Sequence, residues 1–190
     1  MSFLSKNIVG LVLAGGQGSR MGGVDKGLEA YLNRPLVDHV IQALAPQTDS
    51  LLISANRNLD RYRAFGHTVV EDADQNYHGP MAGIAAGLAA LTESHYEFAL
   101  VSSCDTPNIP NFMAERLHSK LVSSPAKTAF VHDGQQRQNL HCLIKREAWE
   151  NLILYYQDGG RAMYKWHQQI GDVAVDFSDC AVDFENFNHR

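Results

Sequence analysis

Six of the chain's 15 glycines fall between Gly15 and Gly27, in the run Leu13-Ala14-Gly15-Gly16-Gln17-Gly18-Ser19-Arg20-Met21-Gly22-Gly23-Val24-Asp25-Lys26-Gly27. Glycine has no Cβ and tolerates positive φ, so such a run lets backbone approach a ligand closely and turn its N–H groups around an anion. Arg20 and Lys26 add positive charge, one as a planar fork and the other as a mobile point charge. These residue types suit phosphate binding. Two familiar phosphate loops do not fit. Met21 stands where the dinucleotide fingerprint needs its third Gly, and Lys26 lies between Asp25 and Gly27 rather than before Ser or Thr. The competing reading is a surface loop with incidental charges, which six glycines directly after a buried strand argue against.

A second candidate is Asp105, in Ser103-Cys104-Asp105-Thr106-Pro107. A carboxylate placed just after an apolar strand can ligate Mg²⁺, which takes one or two carboxylates plus phosphate oxygens. It can also simply cap the turn before Pro107. Asp72 ends another apolar run in Val70-Glu71-Asp72, and Asn56 follows a third in Ser54-Ala55-Asn56. Alone, Asn56 reads equally well as a turn residue. The nine histidines include no HExxH and no closely spaced pair, so histidine metal ligation has no support. His132 and His141 flank Asp133-Gly134 and read as ordinary strand residues.

These groups are far apart in sequence, and the elements between them must bring them together. Ile8 to Ala14 is a continuous apolar run rich in β-branched residues, the pattern of a buried parallel strand. Leu36, Val40, Ile41 and Leu44 have helical spacing, with Pro35 expected in the first turn and Pro46 at the end. Strands are predicted at 51–55, 68–70, 98–101, 129–132, 138–144 and 173–177, the pair at 129–144 joined around Asp133-Gly134. Helices are predicted at 57–65 and 82–91, around Met113, Leu117 and Leu121, and at 146–157 and 162–170. Alternating strands and helices imply βαβ units and a mainly parallel sheet. In such sheets ligands sit outside the carboxyl ends of the strands, where the glycine run, Asp72 and Asp105 all fall.

Composition sets outer bounds. The 190 residues, 45% hydrophobic, suit one domain with its own core. Net charge is −5, without the basic excess of a nucleic-acid binder. Five acids against one base lie in the last 19 residues, which leaves residues 1–171 at −1. Cys104, Cys142 and Cys180 form an odd, sparse set without a CxxC pair, which points to a reducing, cytoplasmic setting. The apolar run before the glycines is too short for a membrane span, and no basic amphipathic helix suggests a membrane surface.

The stretch LAGGQGSRMGGVDKGL closely resembles the nucleotide-binding signature of the molybdenum cofactor guanylyltransferases. Cys104-Asp105-Thr106-Pro107 is similar to that family's metal-binding segment, with Ser103 where Pro is common. Gly79-Pro80-Met81-Ala82-Gly83 is similar to its Gly-Pro-Leu-Ala-Gly, although Gly79 and Gly83 equally suit tight helix–sheet packing. Arg137-Gln138-Asn139-Leu140 and Gly159-Gly160-Arg161-Ala162-Met163-Tyr164-Lys165-Trp166 resemble later segments. In the tail, Asn186 and Asn188 match, but His189-Arg190 replace Thr-Pro. Arg161 and Lys165, four apart, are expected on one helix face, either meeting the phosphate of a second substrate or forming a solvated basic face.

The resemblance implies a single nucleotidyltransferase domain over residues 1–190. Its fold would be a three-layer α/β/α sandwich with a Rossmann-like sheet, of the nucleotide-diphospho-sugar transferase type. It implies transfer of GMP from GTP to molybdenum-molybdopterin with release of pyrophosphate, and contacts with molybdoenzymes or their chaperones. It assigns nucleotide binding to Leu13, Ala14, Gly15, Gly16, Lys26, Asn56, Asp72 and Asp105, catalysis to Lys26, Arg20 and Asp105, and Mg²⁺ to Asp105. The alternatives are a related transferase using CTP or a sugar-phosphate acceptor, and a catalytically silent nucleotide-binding protein in cofactor assembly.

Overall fold

The computed structural model describes residues 7–14, 25–72 and 79–187. Its core is a seven-stranded sheet. The strands are β1 (Ile8–Leu13), β4 (Ser50–Ser54), β5 (Thr68–Val70), β6 (Phe98–Ser103), β7 (Thr128–His132), β8 (Arg137–Lys145) and β9 (Asp172–Asp176), in the order β5-β4-β1-β6-β8-β7-β9. All run parallel except β8, which is antiparallel to both β6 and β7. The expected mainly parallel sheet is therefore present. The sequence marked β8 as the return arm of a hairpin. Only the folded chain inserts that arm between β6 and β7.

Burial on both faces explains the unbroken apolar reading of β1. Ile8 and Val12 face one apolar layer, and Val9, Leu11 and Leu13 the other. The first layer is covered by α1 (Leu36–Leu44), α2 (Leu59–Arg63) and α4 (Met113–Val122), the second by α3 (Pro80–Ala90), α5 (Trp149–Gln157) and α6 (Met163–Ile170). This is the three-layer α/β/α sandwich. No helix of the described residues is long and apolar enough to cross a membrane.

Local chemistry sets the element ends. Pro35 is the residue preceding α1 rather than a member of its first turn, because its ψ of 144° is extended. It closes a two-stranded ribbon, β2 (Ala30–Tyr31) with β3 (Arg34–Pro35), that the sequence did not announce. Leu32 and Asn33 turn that ribbon at φ 47° and 64°. Two-residue hairpins favour such angles, but Leu rarely adopts them, so the usual Asn-Gly signal was missing. Pro80 opens α3, where its missing N–H costs nothing.

The carboxyl edge of the sheet is held by bonds that continue past the strands. Ala14 N–H reaches Ser54 O at 2.8 Å, Ala55 N–H reaches Val70 O at 3.0 Å, and Cys104 N–H reaches Leu13 O at 3.0 Å. The loop after Asp105 is docked by buried Gln47, whose amide donates to Pro110 O at 3.1 Å and accepts from Ala114 N–H at 2.8 Å.

Helix α3 lies close on β1 because its inner residues are small. A Cβ on Gly87 would come within 2.7 and 2.8 Å of the two methyls of Leu11, which is itself fully buried. A valine there must push the helix outward. We expect Gly87→Val to destabilise the fold by about 1–3 kcal/mol, read as a lowered urea midpoint. An unchanged midpoint would show that α3 has slack against the sheet.

Candidate active site

The carboxyl ends of β1, β4, β5 and β6 form one edge, and those of the residues singled out by sequence that the structure describes gather there. Asp105 follows β6 and Lys26 opens the short 3-10 turn Lys26–Leu28 beyond the glycine run. Their side chains meet: Lys26 Nζ lies 2.7 Å from Asp105 Oδ2, with 27% and 18% of the two side chains exposed. Ser103 Oγ donates to the other carboxylate oxygen, Oδ1, at 2.5 Å. Asp105 thus presents a hard oxygen donor at a strand end, partly open, with a cation already against it. A carboxylate is the donor type that a small divalent ion takes alongside phosphate oxygens.

Leu13 and Ala14 end β1 beside this pair, both buried. Gly15, Gly16 and Arg20 lie outside the described residues. Asn56 and Asp72 form a separate reciprocal pair where β4 and β5 end. The Asn56 amide donates to Asp72 Oδ2 at 2.7 Å, and Asp72 N–H donates to Asn56 Oδ1 at 2.8 Å. Of the expected site residues, the fold therefore joins Lys26 to Asp105 and Asn56 to Asp72.

Lys26 is aimed by its neighbour Asp25, which no local sequence pattern sets apart from other loop acids. Tyr62 OH donates to Asp25 Oδ1 at 2.6 Å, Asn58 Nδ2 donates to Oδ2 at 2.8 Å, and Arg57 Nε lies 3.8 Å from Oδ2. Three residues, Tyr62 within α2 and Arg57 and Asn58 before it, thus hold the chain just before Lys26. Gly27 then passes so close that a Cβ would sit 2.6 Å from Tyr62 Oη and 3.3 Å from Cys104 Sγ. Here the glycine serves packing within the protein. Burial, then the hydrogen bond to Asp25, pushes the Tyr62 phenol far up, so it stays a proton donor. Burial, then the charges of Asp105 and Asp25, likewise pushes the Cys104 thiol up, which keeps it protonated and unsuited to nucleophilic attack.

His141 corrects the expectation of an ordinary strand residue. It is 2% exposed, with Nδ1 2.9 Å from Ser102 Oγ and Nε2 3.1 Å from Thr106 Oγ1. Burial pushes its pKa down to about 4, so it is neutral at pH 7. Thr106 in turn donates to Asn186 Oδ1 at 3.3 Å, and Phe187 N–H donates to the Asp105 carbonyl at 2.7 Å. The tail thereby reaches the site through Asn186. Asn188 lies outside the described residues.

The second basic pair is not assembled. Arg161 precedes α6, while Lys165 lies within it, so they share no helix face. Arg161 donates to the carbonyls of Tyr156 and Gly160 at 2.7 and 2.8 Å and lies over the Tyr156 ring, closing the carboxyl end of α5. Arg137 is similarly committed, paired with Asp172 and stacked on Phe130. An open cleft of about 470 Å³ runs beside the Asp105 end of the sheet, between the β7–β8 turn and the tail. Gln135, Gln136, Gln138 and Asn186 line it.

A lysine delivered by a glycine-rich segment onto a carboxylate at the next strand end suits chemistry at a polyphosphate. Residues 10–171 match the family model of the MobA-like NTP transferase domain. Fold and site together thus define a nucleotidyltransferase. The chain is 40% identical to a molybdenum cofactor guanylyltransferase of Ralstonia nicotianae, over 97% of its own length and 93% of that protein's. It belongs to the molybdenum cofactor guanylyltransferase family.

Solved structures agree on the architecture. Molybdopterin-guanine dinucleotide biosynthesis protein A from Archaeoglobus fulgidus superposes with a TM-score of 0.73 at 19% identity, covering 95% of this chain and 92% of that one. A Mycobacterium tuberculosis protein solved in complex with manganese gives 0.67 at 18% identity, covering 89% and 88%.

Tyr62→Phe keeps the ring in the core and deletes only the donor to Asp25. A hydrogen bond to a charged group contributes about 1.5–3 kcal/mol, so the variant should unfold at lower urea by that amount. If Tyr62→Phe matches the parent, Asp25 is held by Asn58 and Arg57 alone.

Proposed function

We propose that the chain transfers GMP from GTP to molybdenum-loaded molybdopterin, forming the guanine dinucleotide cofactor and pyrophosphate. The family supports the reaction type and its relatives' names support the substrates. The observation that carries the site assignment is the 2.7 Å contact between Lys26 and Asp105 at the carboxyl edge of β1 and β6.

The attacking group in this reading is the terminal phosphate of the pterin, already ionised at pH 7. A strong general base is therefore not needed, which agrees with His141 being neutral, buried and bonded through both ring nitrogens. Catalysis then rests on in-line positioning and charge neutralisation. Residues 13–16 and Lys26 hold the triphosphate, and Lys26, with Arg20, offsets charge on the α-phosphate and the leaving pyrophosphate. Asp105 would hold Mg²⁺, which when bound supplies further positive charge to the phosphate oxygens. Asn56 and Asp72, locked to each other, are assigned to the nucleoside half of GTP. The whole of residues 1–190 acts as one nucleotidyltransferase domain.

Pyrophosphate release from a panel of nucleoside triphosphates, with molybdopterin and Mg²⁺, tests the assignment. GTP should be consumed far faster than CTP. Asp105→Ala and Lys26→Ala should each lower the rate by about 100-fold or more. Preference for CTP would move the chain to a different donor, and near-parental turnover in either variant would remove that residue from the site.

A further inference from the structure

We propose that His141 is a positioning residue for Asp105, stapling the turn that carries the carboxylate from the inside of the sheet edge; the inference rests on the role assigned to Asp105 above. The starting observation is a break in strand pairing. Phe130 pairs with Cys142, but the next residue of β7, Val131, pairs with Gln138. Asn139, Leu140 and His141 are left over on β8, a larger irregularity than a one-residue bulge. It forgoes ladder hydrogen bonds in the middle of a sheet, so something must hold it in place.

Two histidines do so. On one face His167, itself fully buried on α6, lies with Nε2 3.2 Å from the Asn139 carbonyl. On the other, His141 reaches two hydroxyls that bracket Asp105, Ser102 three residues before it and Thr106 one after. Both hydroxyl residues are fully buried, so an unpartnered hydroxyl would be costly there.

The hydrogens can be placed in one direction. Thr106 spends its proton on Asn186 Oδ1 and therefore accepts from Nε2–H of His141. Nδ1 is then the acceptor for Ser102 O–H. The resulting chain, Ser102 to His141 to Thr106 to Asn186, spans both sides of the Asp105 turn and ends on the tail. Phe187 N–H meets the Asp105 carbonyl from that same tail. An imidazole supplies one donor and one acceptor at the right separation, which no aliphatic side chain does.

The test titrates Mn²⁺ with GTP into the full-length chain and reads bound manganese by its paramagnetic resonance. His141→Leu should weaken manganese binding about tenfold, and His141→Gln, whose amide keeps a donor and an acceptor, should restore most of it. Ser102→Ala and Thr106→Val each remove one hydroxyl and should weaken binding by a smaller factor; they serve if His141→Leu does not fold.

Leu44→Ala opens a cavity at the opposite edge, near where Asp49 N–H meets Ile8 O, and should cost stability without changing manganese affinity. Parental affinity in the folded His141 and hydroxyl variants, or an equal loss in Leu44→Ala, would overturn the proposal. Amide exchange of residues 103–106 in ligand-free protein distinguishes failure of the staple from failure of the metal assignment. Faster exchange in His141→Leu supports the staple even if the parent takes up no manganese with GTP, a result that would instead sink the metal assignment. Unchanged exchange sinks the staple.

Discussion

One ion pair sets the geometry on which the rest of this site depends. Lys26 and Asp105 are 79 residues apart and meet at 2.7 Å. Partly exposed pairs of this kind contribute little to stability, about 0–1 kcal/mol when open to solvent. Its importance is positional. The glycine-rich segment leaves β1, Asp105 leaves β6, and the parallel pairing of β1 with β6 puts both exits on the same edge. The lysine closes the gap. The edge thus presents a cation and a carboxylate side by side.

Each partner is held in place by neighbouring side chains. On the lysine side, Asp25 is gripped by Tyr62 and Asn58, and Gly27 slides past Tyr62 and Cys104 where no other residue fits without displacement. On the aspartate side, Ser103 takes one carboxylate oxygen while Gln47 docks the loop beyond. The protonated states of Tyr62 and Cys104 follow from their burial, which also keeps them from competing as nucleophiles.

The opposite half of the sheet is organised differently. β8 runs against its neighbours and carries an irregular stretch, and the cleft lined by glutamines and Asn186 opens beside it. Arg161, expected with Lys165 on one helix face, is used for structure, and so is Arg137. Arg161 closes α5, and Arg137 ties β8 to Asp172 and Phe130. The polar lining of this cleft consists of amides and the carboxylates of Asp133 and Glu185 among the described residues.

The sequence by itself determined the alternation of strands and helices, because each apolar run and each helical period reports a local burial pattern. It also marked Lys26, Asp72 and Asp105, because acids and glycines directly after buried strands stand out. It did not reveal the ribbon at 30–35, whose turn uses Leu32 and Asn33 in place of a glycine. Nor could it distinguish Asp25 from any loop acid, or His141 from any strand histidine. Their roles arise from partners 37 and 39 or 35 residues away. Spacing can place Arg161 and Lys165 on one face only if the helix covers both, and the helix begins after Arg161. Local pattern is written along the chain, whereas hydrogen-bond partners and ion pairs are chosen by which strand ends the tertiary structure places side by side.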